Sequence, residues 1–300
     1  MLIHSTDPNR KTDTDLLATA YFYHDLRLME QYAKMLGNHL EAEDFAREAK
    51  SIAKAFNEKF FEKELGQYDN GTQTSCVLPL AFGLAPAEQR SRVFDHLIKK
   101  ISIESHNHIG TGLIGGQYLN RTLSDFGRAD VAYAIASQRD YPSWGYMLDK
   151  GATTIWELWN GDTADPAMNS GNHVMLVGDL VIWFYECLAG IKSDSAHPGF
   201  KHIIMNPQPV EDLQFVRGSH YSPHGLIVSE WHRSANKFDW QIEIPANATA
   251  TIHVPAADIE QIKEGQRTVR DRPGIKVVGS SANRVVMEIG SGRYHFQVGR

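Results

Sequence analysis

Residues 173–199, HVMLVGDLVIWFYECLAGIKSDSAHPG, mark a change of period that divides the chain. Up to Leu188 the run is apolar at helical spacing and reads as one long helix. From Lys192 to Gly199 it is polar, ends on Pro198 and Gly199, and reads as a linker. Upstream, Leu17, Tyr21, His24, Leu28, Tyr32 and Met35 recur at steps of three and four, with Gly37 as the stop signal. Phe45, Ala49, Ile52, Phe56 and Phe60 repeat the pattern, and further helical pieces fit residues 113–123 and 130–138. Short connections predict antiparallel neighbours. Downstream the period drops to two. Phe238, Trp240, Ile242 and Ile244 alternate with polar residues; so do Ile252 and Val254, then Val285, Met287 and Ile289, then Tyr294, Phe296 and Val298. The sequence therefore predicts a mainly α part, residues 1–191, followed by an all-β part, residues 192–300, built as a β-sandwich.

Composition narrows the function. The 300 residues carry 30 basic and 36 acidic side chains, a formal charge of −6, so no basic excess exists to neutralise nucleic-acid phosphates. The longest apolar run is interrupted by Asp179 and Glu186, so no bilayer-spanning helix is predicted. The start, Met1 to Pro8, lacks the basic and apolar regions of a secretory leader. Cys76 and Cys187 lie in apolar helical runs and read as buried free thiols.

Residues 141–173, YPSWGYMLDKGATTIWELWNGDTADPAMNSGNH, are too rich in Gly, Pro and Asn for a continuous helix. Glu157 sits between Trp156 and Trp159. Indoles partly desolvate a carboxylate and offer platforms for the apolar faces of sugar rings. A loop of this kind between core helices commonly binds or catalyses. It can equally plug the end of a helical bundle, with Glu157 paired to Lys150 or another base. Spacing alone leaves both readings open. Asp162 and Asp165 read as turn formers. Glu104, His106 and His108 have no further ligands at zinc-like spacing, so no metal is expected.

Several blocks, in order, resemble glycoside hydrolase family 78, the bacterial α-L-rhamnosidases. The most specific is Tyr141-Pro142-Ser143-Trp144-Gly145-Tyr146-Met147 with Gly151-Ala152-Thr153-Thr154-Ile155-Trp156-Glu157. Others are Thr19-Ala20-Tyr21-Phe22-Tyr23, Gln73-Thr74 with Leu78-Pro79-Leu80-Ala81-Phe82-Gly83-Leu84, Gly110-Thr111-Gly112, Asn172-His173, and Ser222-Pro223-His224-Gly225. The resemblance implies part of an (α/α)6 toroid followed by a β-sandwich, and hydrolysis of terminal α-L-rhamnosides with inversion. It passes the general-base role to Glu157 and a sugar contact to His173, with Trp144, Trp156 and Trp159 as sugar-facing aromatics. It implies no cofactor and a rhamnose-containing glycoside or glycan as partner. No block here matches the family's general acid, which is expected outside this chain. The chain is thus expected to be a piece of a longer protein with little activity alone, and to expose an apolar face that invites homodimerisation or aggregation. The alternatives are another inverting (α/α)6 glycosidase and a non-catalytic glycan-binding protein. The compartment is left open.

Overall fold

The computed structural model describes residues 11–167, 169–210 and 212–299, so the Met1 to Pro8 stretch lies outside the described residues. The chain divides into two compact units, one ending at Leu180 and the other beginning at Val181.

The first unit is helical. Asp13 accepts hydrogen bonds from the Asp15 and Leu16 amides at 2.6 and 3.4 Å and so caps α1 (Thr14–Met35). Gly37, at φ +77°, ends it: the Asn38 amide reaches Ala33 O at 2.8 Å and the Gly37 amide reaches Lys34 O at 3.1 Å. This Schellman arrangement satisfies orphan carbonyls and reverses the chain into α2 (His39–Phe60). Lys59 near the end of α2 meets Asp15 at the start of α1 at 2.8 Å, so the pair is antiparallel, as the short connection predicts. The apolar repeat read along α1 identifies the helix, but the fully enclosed row is its neighbour: Leu16, Ala20, Leu26, Glu30 and Ala33. Glu30 is tolerated there because Arg27 and Lys34 each meet it at 2.6 Å. Phe22, Met29, Tyr32 and Leu36 share another face of α1 and stay exposed.

A two-stranded ribbon, β1 (Phe61–Glu62) and β2 (Gln67–Tyr68), leads into α3 (Gln73–Ala81), whose residues from Gln73 to Leu80 are all buried. α4 (Arg90–Lys99) turns its Val93, Phe94 and Leu97 face inward and continues as a wider π-helical turn to Glu104. Then come α5 (Leu113–Gly116), α6 (Leu119–Asp125), α7 (Ala129–Ala136) and α8 (Trp144–Asp149).

Two helical expectations are corrected. Residues 113–123 are not continuous, and neither is the run 173–188. The latter is a 3-10 turn (Val174–Val177), a break at Gly178 and Asp179, α9 (Leu180–Trp183), and a π-helical turn to Leu188. One feature explains both breaks. Gly178 adopts φ +59° and packs on Gly116, where a Cβ would lie 2.3 Å from Gly116 O. The Asp179 amide donates to that same oxygen at 2.9 Å. The Asp179 carboxylate, wholly buried, then accepts from the Asn120 amide (3.3 Å), Asn120 Nδ2 (3.0 Å) and the Arg121 amide (2.9 Å). It thereby supplies from a distance the cap that starts α6. Burial pushes the Asp179 carboxyl up, against the hydrogen bonds and charge of Arg121 and the hydrogen bonds of Asn120. No described helix is long and apolar enough to cross a membrane.

The second unit holds two sheets. Its strands are β3 (Ile191–Ser193), β4 (His202–Met205), β5 (Phe215–Ser222), β6 (Gly225–Ser234), β7 (Lys237–Ile244), β8 (Thr249–Val254), β9 (Ile262–Glu264), β10 (Arg267–Thr268), β11 (Ile275–Ser281), β12 (Arg284–Ile289) and β13 (Gly292–Gly299). One sheet has the order β10-β9-β13-β7-β6-β5, the other β11-β12-β8-β4-β3. All pairs are antiparallel except β4 with β8. The predicted alternation holds: Phe238, Trp240, Ile242, Ile244, Ile252, Val254, Val285, Met287, Ile289, Phe296 and Val298 share one core with Trp231. The indoles keep hydrogen-bond partners inside it. Trp240 Nε1 donates to Ser229 Oγ at 2.9 Å, and that hydroxyl donates to Ala189 O at 2.6 Å. The segment 192–199, read as a linker, is instead β3 and the turn that returns as β4. Its polarity is that of a solvated hairpin turn, and Ala189 and Ile191 just before it already belong to the sandwich core. Cys76 and Cys187 are free and buried, and burial pushes the Cys76 thiol up to about 11.

Candidate active site

A cavity of about 540 Å³ opens in the helical unit, with Glu157, Leu158, Trp159 and Asn160 on one wall and residues 104–113 on another. That volume is in the range of small-molecule sites. The wall from Ser105 to Gly112 has no regular structure of its own and is held by Gln73, at the start of α3. Gln73 Nε2 donates to His108 O at 3.0 Å and Ser105 Oγ at 3.3 Å; its Oε1 accepts from the Gly110 amide at 2.8 Å. Buried amide side chains that pair on both ends fix a loop as a strand ladder would. His108 Nδ1 lies 3.0 Å from Ser105 O, and since a carbonyl only accepts, that nitrogen carries the proton.

The opposite wall is pinned through its backbone. The Glu157 amide donates to Ser170 O at 2.9 Å, and the Ser170 amide donates to Glu157 Oε2 at 2.9 Å. The His173 amide donates to Ile155 O at 2.6 Å, and Asn169 Oδ1 accepts from the Leu158 amide at 3.1 Å. Residues 154–158 and 169–173 therefore run side by side, which aims Glu157 at the cavity. Its Oε1 makes no hydrogen bond to any described residue and is not enclosed. The Glu157 side chain is 16% exposed, and Oε2 lies 3.7 Å from His173 Nδ1. Lys150 goes to Asp162, at 3.9 Å, and not to Glu157. Tyr146 donates its hydroxyl to Asp162, and Asp165 accepts from the Ala167 amide at 2.9 Å, so both acids serve loop structure.

The five residues singled out by sequence lie near one another but do not all line the cavity. Glu157 and Trp159 line the cavity; Trp144, Trp156 and His173 are not among its lining residues. Trp159 donates Nε1 to Thr111 O at 3.2 Å and meets Trp144 edge-on, 5.5 Å between ring centres. Trp144 is 6% exposed and donates Nε1 to Leu176 O at 3.1 Å, so it backs Trp159 from behind. Trp156 folds over Gly161, where any Cβ would collide with the indole at 2.6 Å. His173 lies beside Glu157, with Nε2 enclosed and without a partner among the described residues.

Sequence reading did not mark Lys100 and Glu104 as wall residues. Lys100 donates to Glu104 at 3.0 Å, and that bond holds the Glu104 carboxyl below the usual carboxylate range. The signal available was the i, i+4 spacing at the end of an amphipathic helix, which is common on surfaces. His108 Nε2 and Thr111 Oγ1, on lining residues, are enclosed without partners among the described residues. Among the described residues no group of three or more His, Cys, Asp or Glu is arranged to hold a metal ion.

Comparisons with known proteins agree with this layout. Residues 2–188 match the bacterial alpha-L-rhamnosidase six-hairpin glycosidase domain, and residues 190–269 the bacterial alpha-L-rhamnosidase C-terminal domain. An alpha-L-rhamnosidase of Formosa agariphila is 33% identical over 96% of this chain and 32% of its own length. The crystal structure of the Streptomyces avermitilis alpha-L-rhamnosidase complexed with L-rhamnose superposes with a TM-score of 0.88 at 31% identity, over 96% of this chain and 27% of that one. The alpha-L-rhamnosidase from Dictyoglumus thermophilum gives 0.85 at 33% identity, over 94% and 31%. The chain thus spans about a third or less of the length of these relatives. Helical wall, carboxylate cavity and following two-sheet unit fall where those matches run, and the chain belongs to the bacterial alpha-L-rhamnosidase family, as part of its six-hairpin glycosidase domain with its C-terminal β-domain.

Proposed function

We propose that this chain supplies the general-base half of an inverting α-L-rhamnoside hydrolase, with Glu157 as the base. The observation that carries the reading is the unequal treatment of its two oxygens. Oε2 is held by the Ser170 amide, while Oε1 is left open on a residue that lines the cavity together with Trp159. An ionised carboxylate so placed can hold a water and take its proton as the oxygen attacks the anomeric carbon from the face opposite the leaving group. Trp159 offers an apolar face for the sugar ring, and Trp144 and the Thr111 carbonyl keep it in place. His173 and Trp156 support the carboxylate's loop in this reading, and His173 Nε2 has no hydrogen-bond partner among the described residues.

The leaving oxygen needs a protonated acid about 6.5–9.5 Å away in an inverting enzyme. The other carboxylate on the described cavity wall is Glu104, and Lys100 keeps it ionised at neutral pH. That supports an acid contributed from outside residues 1–300, in the longer protein whose relatives this chain covers only in part. The boundary between helical and β parts, set from sequence at residue 191, is part of the same proposal. The sugar is terminal α-linked L-rhamnose, by analogy with the relatives and the L-rhamnose complex.

In the longer protein, Glu157→Gln is expected to lower kcat on an aryl α-L-rhamnoside by about 10²–10⁴-fold with KM little changed. NMR of the first-formed sugar should show inversion. A Glu157→Gln enzyme at full rate, or a retained configuration, overturns the base assignment. Turnover by the 300-residue chain alone overturns the external acid. Rhamnose binding without turnover by the longer protein, unchanged in Glu157→Gln and lost in Trp156→Ala, would instead support the glycan-binding alternative.

A further inference from the structure

The β-unit contains a second opening that the hydrolytic reading does not use. It is a cleft of about 810 Å³ at one end of the two sheets. The end of β6 supplies Arg233 and the start of β7 Lys237, the start of β12 supplies Arg284, and Gln214 and Pro255 also line it. Among the described residues that line it, three side chains are cationic and none is acidic, although the whole chain carries −6. Composition alone would put acids there as readily as bases.

Arg284 is the least expected of the three. Its Nη1 donates to His253 O at 3.2 Å, and it has no carboxylate partner among the described residues. Burial pushes its guanidinium down to about 10, and no acid among the described residues offsets that effect. The neighbouring His253 is pushed down by burial and by the charge of Arg284. A desolvated cation without a counter-charge is costly to a fold unless something pairs with it. Lys237 already shares Asp239 at 2.8 Å, and Asp239 is also held by Gln297 at 3.0 Å, so that acid is committed elsewhere.

We propose that this cleft is a docking site for an anionic sugar residue, its carboxylate or sulfate oxygens held by the Arg284 guanidinium with Arg233 and Lys237 around it. A guanidinium presents paired N–H donors that match two oxygens of a carboxylate or sulfate. Gln214 and Ser234 add neutral groups able to meet sugar hydroxyls. That the ligand is a saccharide rests on the proposed function. The charge requirement does not, so the two can fail separately.

The test is calorimetric titration of the whole chain at low ionic strength with three probes: a galacturonic acid trisaccharide, glucose 6-sulfate and neutral maltotriose. Saturable binding of one or both anionic probes, weakened by salt and absent for maltotriose, is expected, and the preferred probe identifies the group. Arg284→Gln should weaken it about tenfold or more, the effect of losing one charge-assisted hydrogen bond. Lys237→Glu, on an exposed hairpin, should weaken it as well without touching the core, and circular dichroism checks both variants for folding. Glu157→Gln should leave the affinity unchanged. The proposal is overturned by no saturable binding of either anionic probe, by equal binding of maltotriose, by unchanged affinity in Lys237→Glu and a folded Arg284→Gln, or by loss of binding in Glu157→Gln, which would move the site to the other cavity.

Discussion

Replacing Asp179 by Ala removes one carboxylate that serves three donors. The Asn120 amide, Asn120 Nδ2 and the Arg121 amide all lie within 3.3 Å of it, and water does not reach the carboxylate in the folded chain. Three net hydrogen bonds at about 1 kcal/mol each give about 3 kcal/mol. The variant also escapes the burial of a charge, which returns part of that and leaves a loss of about 2 kcal/mol. For a unit of this size about 2–4 °C accompanies each kcal/mol, so the helical unit should melt about 4–8 °C lower. Asp179→Asn keeps one acceptor oxygen and should fall between parent and Ala. Differential scanning calorimetry measures the shift, and near-UV circular dichroism of the Trp144–Trp159 pair assigns the transition to this unit. The damage should extend beyond stability, because Asp179 anchors the downstream end of the loop on which Glu157 and His173 are placed. A calorimetric midpoint equal to the parent's in Asp179→Ala would refute the claim that this carboxylate caps α6 and causes both helix breaks.

Gly178→Ala should destabilise the same unit by about 1–3 kcal/mol, since it forces a side chain into positive φ and its Cβ against Gly116 O; urea denaturation measures it, and a neutral result would mean the Gly116 contact is not tight. In the β-unit, burial works to raise the Asp239 carboxyl, but hydrogen bonds from Lys237, Gln297 and His295 outweigh it and hold it at about 2. That depressed value contributes about 2 kcal/mol above the ordinary carboxylate range, and the contribution is lost as pH falls toward about 2. Asp239→Asn should therefore flatten the acid limb of an unfolding curve followed by fluorescence. The exposed row Phe22, Met29, Tyr32 and Leu36 should make the isolated chain self-associate, and Met29→Glu with Leu36→Glu should yield a monomer by light scattering; a parent chain that is monomeric throughout the concentration range tested would remove that expectation.

The β-part was readable because a two-residue period survives sequence noise. Each of Phe238, Trp240, Ile242 and Ile244 faces the core, and a one-residue slip would expose them all. The helical part was readable as helices but not as packing: α1 was found through a stripe beside its enclosed row, because an ion-paired Glu30 occupies the core side. The breaks at Gln117 and Gly178 were hidden because their cause is tertiary. A carboxylate 59 residues downstream caps α6, and no local spacing encodes that. Glu157 stood out through its specific block, and it lines the cavity of the helical unit. The cavity's other wall was not, since Gln73 acts through hydrogen bonds to a loop whose sequence carries no period.

The bond that aims Glu157 comes from the main-chain amide of Ser170, not from its side chain. Every residue except proline brings that same amide. The bond to the carboxylate is therefore available from any residue but proline at position 170, although the Ser170 hydroxyl also ties the loop to the Asn172 backbone, and a search for a partner side chain would miss what holds the carboxylate. An engineer can remove the aim by one proline at 170 without altering any charge in the cavity.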